Sequence, residues 1–512
     1  MRRGIGELTA SRQPPRLMPG AATVIAGTAL GWALFGVRMF RIDGDVGRHI
    51  AVGRYILDSG TVPRVDLFSH TLPLESFVPY EWLSEILFAL ADRLAGLAGV
   101  AVLSGVLFAA SCAVVYRFAR LTDAGPMVAL AVSVLAMFLQ AVHLLPRPHL
   151  FTTLFAAVFL LVLETWRLQQ NWQWLALTVP LMWIWANLHG GFLVGFVILG
   201  VYLADAWRPG SAIRRRRGHL LAAATACLLA TLLNPAGLAI WPHTLSYFGF
   251  DFLVDQTNEY RSPDFHRLYG KIFLVAILSG FVLLGVNRRI AGFRDLTLFI
   301  GWLAAGLISA RNIPLFGVLA VPWYALWIRR ALDAASTPDT RVRRALAGFS
   351  RWDEKLARVD ASVASRYSTL VVSVGLILAA LTAGADRYRF EEDTIPVKAA
   401  DAFDALDLQG NVFNEMPWGG YLLYVRDDIP VFIDGQTDFY GEELSKDYLR
   451  IRQLAPGALE LLDRYEIDRV LLRPSVALPQ ALTLDANWNL VYEDPTAVVF
   501  ARASARTPGV HR

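Results

Sequence analysis

Apolar runs close to the length that crosses a bilayer alternate with short polar stretches from residue 20 to residue 385. They predict spanning helices at 20–40, 97–117, 125–145, 149–167, 172–187, 190–207, 218–233, 271–286, 295–310, 312–329 and 368–385. Several of these fall short of the roughly twenty residues that span without adjustment. Segment 81–95 is apolar too, but it stays on one side in the alternation argued below. It is a re-entrant helix, a surface helix, or the first part of a longer one.

After residue 386 the apolar runs shorten and the period changes. "GNVFNE", "GYLLYV", "PVFIDG", "RVLLRPS", "NLVYED" and "AVVFAR" read as strands, while 445–454 and 457–465 read as helices. "EMPWGGYL" offers a Gly-Gly turn between strands. The pattern predicts a soluble α/β domain over 386–512, after a cytoplasmic tail at 1–19 and a transmembrane module at 20–385.

Charge orients this picture. Of 512 residues, 55% are hydrophobic and 18% charged, below the roughly 25% of a soluble domain. The net charge of +4 argues against nucleic-acid binding, because the arginines lie in loops between apolar runs. Cys112 and Cys227 both lie inside apolar runs, so a disulfide framework is not expected. Arg2, Arg3, Arg12 and Arg16 precede Ala21–Phe40, which reads as a retained first span with the N-terminus in the cytoplasm. Arg117, Arg120, Arg167, Arg214–Arg217 and Arg288–Arg289 then fall inside. So does the loop at 330–367; residues 329–367 carry nine Lys/Arg against five Asp/Glu. The chain is thus expected to be a multi-pass protein of the inner or plasma membrane. Its loop 41–80 and its tail lie on the extracytoplasmic side.

The outer loops hold acids, histidines and asparagines. "RIDGDVGRHIAVGRYILDSGTVPRVDLFSHTLPLESFVPYEWLSEIL", residues 41–87, sets Asp43 and Asp45 at the membrane edge with His49 four residues on. Carboxylates at i and i+2 can hold a divalent cation such as Mg or Mn, or one of them can take a proton from an acceptor hydroxyl. The plainer alternative is a helix cap with a solvated acid. Ile50, Val52, Tyr55, Ile56 and Leu57 suggest an amphipathic helix on the membrane surface, and Glu81-Trp82 opens the next apolar segment. "HLLPRPHLF" places His143, Arg147 and His149 between two spans, where a charge is expected to face a cavity or the interface. "WANLHGGFLVG" sets Asn187 and His189 at a break, and "LLNPAG" ends a span. Arg311 lies on the outer side against the positive-inside rule, where a guanidinium can clamp a phosphate through paired donors or snorkel to a headgroup. "FIDGQTDFYG" places Asp434, Gln436, Asp438 and Tyr440 on a loop of the soluble domain, where ligand contacts or a solvated Asp-Gly turn both fit.

The order of these motifs resembles the GT-C superfamily, polytopic glycosyltransferases that use polyprenyl-phosphate sugars. The resemblance is to the bacterial branch with aminoarabinose transferases and protein O-mannosyltransferase-like proteins, and it runs from about residue 40 to 445. "DGDVGRHIAVGRYILDSGTVPRVDLFSHT", "YEWLSE", "RPHLF", "WANLHGGFLVG", "LNPAG", "RNIPLF" and "WGGYL…VFIDGQTDFYG" carry it jointly. Val46-Gly47-Arg48 departs from it, since aromatic residues are expected before the histidine. The resemblance implies a helical membrane fold of about eleven spans with a soluble α/β tail. It implies Asp43 or Asp45 as base or metal ligand, His49 and Glu81 shaping the pocket, and Arg147, His189 and Arg311 around the lipid phosphate. The implied reaction is inverting sugar transfer to an extracytoplasmic glycan, lipid or protein. A transporter, a non-catalytic sugar- or lipid-binding scaffold and a lipid–sugar ligase are the rivals. Convergence of Asp43, Asp45, Arg147 and Arg311 on one outer cavity separates an enzyme from a scaffold.

Overall fold

The computed structural model describes residues 18–41, 43–247, 259–286, 291–334, 341–363, 366–405, 410–426 and 428–503. The first part of the chain forms α1 (Ala21–Phe35), α2 (Asp45–Ser59), α3 (Trp82–Leu121), α4 (Pro126–Gln140), α5 (His149–Gln169), α6 (Trp172–Ala176) and α7 (Thr178–Leu188). There follow α8 (Leu193–Trp207), α9 (Arg217–Ala230), α10 (Ile240–Ser246), α11 (Leu268–Val286), α12 (Phe293–Ile308), α13 (Ile313–Leu319) and α14 (Trp323–Ala334). Then come α15 (Arg341–Val363) and α16 (Arg366–Arg387). The tail holds α17 (Val397–Ala405), β1 (Asn411–Asn414), α18 (Met416–Val425), α19 (Thr437–Arg452), α20 (Ala458–Arg464), β2 (Ile467–Leu472), α21 (Ala477–Leu482), β3 (Trp488–Glu493) and β4 (Val498–Arg502).

Among the described residues six helices are long and apolar enough to cross a membrane, and a bent pair, Ala310–Leu319 with Trp323–Ala334, makes a seventh if counted as one span. The remaining expected spans are present as shorter helices: 15 residues in α1, 14 in α9 and 16 in α12. Segment 172–187 is divided between α6 and α7. The segment at 81–95 is the first half of α3, which breaks at Ala95 and Gly96, where φ is +59°. That half packs on α2 and buries Glu85, Phe88, Ala89 and Asp92.

Four expectations are corrected. α2 does not lie on the surface. It is sandwiched between α3 and α18, with Val46 to Gly53 buried. "GYLLYV" is helical: Pro417 starts α18, and instead of forming a turn Gly420 lies against the start of α2 while Gly419 lies against Ile433 and Asp434. A Cβ on Gly420 would stand 2.5 Å from the carbonyl oxygen of Gly44, so the two helices touch through backbone. "PVFIDG" forms no regular strand; Val431 pairs in parallel with Ser69 of the 41–80 loop, through Val431 N–H to Phe68 O at 3.0 Å and His70 N–H to Val431 O at 3.1 Å. The 330–367 stretch is mostly helical, as the end of α14 and the whole of α15.

The sheet order is β1-β2-β4-β3, with β1 parallel to β2 and the other two pairs antiparallel. Val412, Trp418, Tyr421 and Val431 belong to the same contiguous apolar core as the long helices. A second core, with Phe413, Phe432, Tyr448, Leu472 and Phe500, lies within the tail. The tail therefore covers one end of the helix bundle and buries that end's polar residues.

Candidate active site

Site residues sit where helices start, stop or break. Asp43, just ahead of the Gly44 cap, accepts the Asp45 backbone N–H at 3.0 Å at the start of α2, which Gly60 closes at φ +68°. Arg147 is flanked by Pro146 and Pro148 just ahead of α5. His189 has extended backbone between α7 and the turn Gly190–Phe192, and Arg311 lies in the turn Ala310–Asn312 between α12 and α13. Side chains at such breaks leave the bundle surface and point into the space beneath the tail.

Arg147 grips Asp43 with two bonds, Nε to Oδ2 at 2.6 Å and Nη2 to Oδ1 at 2.7 Å, and its Nη2 lies 2.8 Å from Asp45 Oδ2. Its remaining Nη1 faces Glu259 Oε1 at 4.0 Å. The same oxygen lies 3.5 Å from Arg311 Nη1, so one carboxylate bridges two guanidiniums. Arg311 also donates to the Tyr260 hydroxyl and stacks on its ring. Asp43, Asp45, Arg147 and Arg311 are thus joined by contiguous polar contacts. Burial pushes Asp45 up to about 7 against the pull of Arg147, with Asp43, Asp434 and Glu259 adding to the rise. For Glu259, burial acts upward but the guanidiniums of Arg311 and Arg147 overcome it and bring the carboxyl down to about 2.

A second group adjoins the first. His49 Nδ1 lies 3.8 Å from Glu85 and 4.0 Å from Glu81, and His189 Nε2 lies 3.6 Å from Glu81. Gly191 N–H donates to His189 Nδ1 at 2.9 Å, which leaves the neutral ring its proton on Nε2, toward Glu81. Burial and the nearby Glu85 and Asp438 hold Glu81 well above the usual carboxylate range.

The tail supplies the roof. Asp434 accepts from Arg48 Nε at 3.1 Å, and Arg48 Nη1 lies 3.5 Å from Glu85. Gly435 lies against the Asp45 carboxylate with no room for a side chain. Asp438 lies 3.5 Å from His243 of α10. Asp438 and Tyr440 were expected on a loop; both lie in the first turn of α19, and both face inward. His49 Nδ1, His243 Nε2, Gln436 Oε1 and Asp438 Oδ2 are buried, and His243 Nε2 and Asp438 Oδ2 face each other.

Sequence reading missed Arg48, Glu85, His243 and Glu259. Arg48 was visible only as a break in the expected motif. Glu259 carried one signal, an acid in the polar stretch 234–270 on the same side as the unexpected Arg311.

A divalent cation shared by Asp43 and Asp45 meets a guanidinium already seated between them. Among the described residues no three His, Cys, Asp or Glu side chains stand close enough to hold an ion.

No protein-family model matches the sequence, and no curated protein matches it. Solved structures do. The ArnT of Cupriavidus metallidurans bound to undecaprenyl phosphate aligns over 95% of this chain and 99% of its own at 16% identity and TM-score 0.50. The AglB oligosaccharyltransferase of Archaeoglobus fulgidus, in complex with an inhibitory peptide and a dolichol-phosphate, aligns over 95% of this chain and 74% of its own at 12% identity and TM-score 0.54. The arabinofuranosyltransferase AftD from Mycobacteria aligns over 96% of this chain and 41% of its own at 13% identity and TM-score 0.56.

The chain has a GT-C fold. In it Asp43 and Asp45 follow α1, Arg147 precedes α5, Arg311 precedes α13, and Asp434 comes from the tail.

Proposed function

We propose that this chain is an inverting glycosyltransferase that moves a sugar from a polyprenyl-phosphate donor to an extracytoplasmic acceptor. The carrying observation is the pairing of a mostly shielded carboxyl pushed up to about 7, Asp45, with two guanidiniums that face one carboxylate oxygen of Glu259, Arg147 and Arg311. In this reading Asp45 takes the proton of the acceptor hydroxyl as its oxygen attacks the anomeric carbon. The bond from that carbon to the donor phosphate breaks, and its electron pair leaves with the phosphate. The leaving group gains one negative charge, which Arg147 and Arg311 offset in a partly dry site. Asp43, bound twice by Arg147, serves to aim that guanidinium. His189 and Glu81 line the adjoining space, where acceptor or sugar hydroxyls find both a donor and an acceptor. The lipids named with the ArnT and AglB neighbours support a lipid-phosphate donor here.

The test is reconstitution of the full chain with polyprenyl-phosphate sugars, comparing Asp43→Asn and Asp45→Asn variants that insert normally. Transfer lost in Asp45→Asn supports the reading. Undiminished transfer in both variants removes these acids from the mechanism.

A further inference from the structure

α15 presents a surface unrelated to the site. Its Asp353 Oδ1 accepts the backbone N–H of Met127 at 2.9 Å, at the first turn of α4. Its Asp360 Oδ1 accepts that of Ala21 at 2.8 Å, the first residue of α1. The two acids are seven residues apart, on one stripe and about 10 Å apart along the helix axis. α15 therefore lies across the starts of two neighbouring long helices. It lies at the end away from the site, since α1 runs from Ala21 toward Asp43.

The rest of its circumference divides in two. Arg344, Arg351, Lys355 and Arg358 recur at helical spacing on the side opposite Asp353 and Asp360, and all four are exposed. Between the two stripes lie Phe349, Trp352 and Val359, each from 38% to 50% exposed. The helix holds six basic residues and three acids, and two of those acids are spent on backbone amides, leaving only Glu354 to face outward. A helix meant only for water has no use for an apolar flank with an exposed tryptophan. One at the level of span ends does, because acyl chains meet headgroups there.

We propose that α15 is an in-plane helix that beds its Phe349–Trp352–Val359 flank at the acyl boundary and sets Arg344, Arg351, Lys355 and Arg358 on anionic lipid headgroups. The carboxyls of Asp353 and Asp360 transmit that seat to the first turns of α4 and α1. The occupant is an anionic leaflet surface, chosen by charge: a basic stripe gains from phosphate-rich headgroups and gains little from zwitterionic ones.

The experiment uses the full chain in nanodiscs of phosphatidylglycerol with phosphatidylcholine. Cys112 and Cys227 are buried, so Trp352→Cys gives one accessible thiol for an environment-sensitive fluorophore. Headgroup-proximal spin-labelled lipid should quench it, and aqueous iodide should not. Spin-labelled phosphatidylglycerol should quench more than spin-labelled phosphatidylcholine. That preference should fall at least about fivefold when Arg344, Arg351, Lys355 and Arg358 are all changed to Gln, and it should weaken with salt. Quenching by iodide and not by lipid would overturn the in-plane placement. Equal quenching by the two lipids in the parent protein would overturn the anionic headgroup seat. The Gln changes lie on an exposed stripe, so unchanged melting of the variant guards the comparison.

Discussion

The carboxylate of Glu259 stands 3.5 Å from the guanidinium of Arg311, and the same oxygen faces Arg147 Nη1 at 4.0 Å. On the proposed function, it occupies the point that would hold the donor phosphate. The backbone on either side is fixed, with Arg311 N–H on Glu259 O at 3.0 Å and Ala310 N–H on Arg261 O at 2.9 Å. Only the side chain has to swing for a phosphate to enter. Glu259→Gln is therefore expected to tighten polyprenyl phosphate binding several-fold, and Arg311→Ala to weaken it. Titration of the purified chain with the lipid measures both. If neither substitution changes the affinity, the phosphate lies elsewhere.

Asp45 ties rate to pH. Its carboxyl titrates at about 7 because burial disfavours its charge. The base must be ionised, so kcat/KM should rise with pH through about 7 and drop about tenfold per unit well below it. Asp45→Asn should cost on the order of 10²–10⁴ in rate. A flat profile from pH 5.5 to 8.5 would remove Asp45 as the base.

Arg48 and Asp434 join α2 to the tail through a bond at 3.1 Å between side chains 7% and 1% exposed. Arg48→Ala leaves Asp434 and Glu85 buried without that partner. The expected cost is about 3–5 kcal/mol, read as loss of thermal stability and earlier proteolysis of the tail. Replacing both members by apolar residues should cost clearly less than the single change.

Gly420→Ala tests the backbone contact between α2 and α18. The added carbon would lie 2.5 Å from the Gly44 carbonyl oxygen, so the helices must separate. A loss of about 1–3 kcal/mol is expected from chemical or thermal denaturation. Gly348→Ala, in open space on α15, should be neutral or slightly stabilising.

Run length is a local property, and it sufficed for the long helices, for β1, β2, β3 and β4, and for placing Asp43, Arg147 and Arg311 at the ends of apolar segments. Side-chain chemistry at those ends was equally legible, which is why the motif series pointed to a GT-C fold. The tertiary structure alone decided the rest. "GYLLYV" has a strand's composition, yet it is a helix whose Gly420 meets the start of α2, a surface no local pattern encodes. "PVFIDG" found its backbone partner in the 41–80 loop and left the sheet. Arg48 meets a partner 386 residues away, and Glu259 takes its place from two arginines on separate loops. Burial then set the protonation of Asp45, and burial is a property of everything packed around a residue.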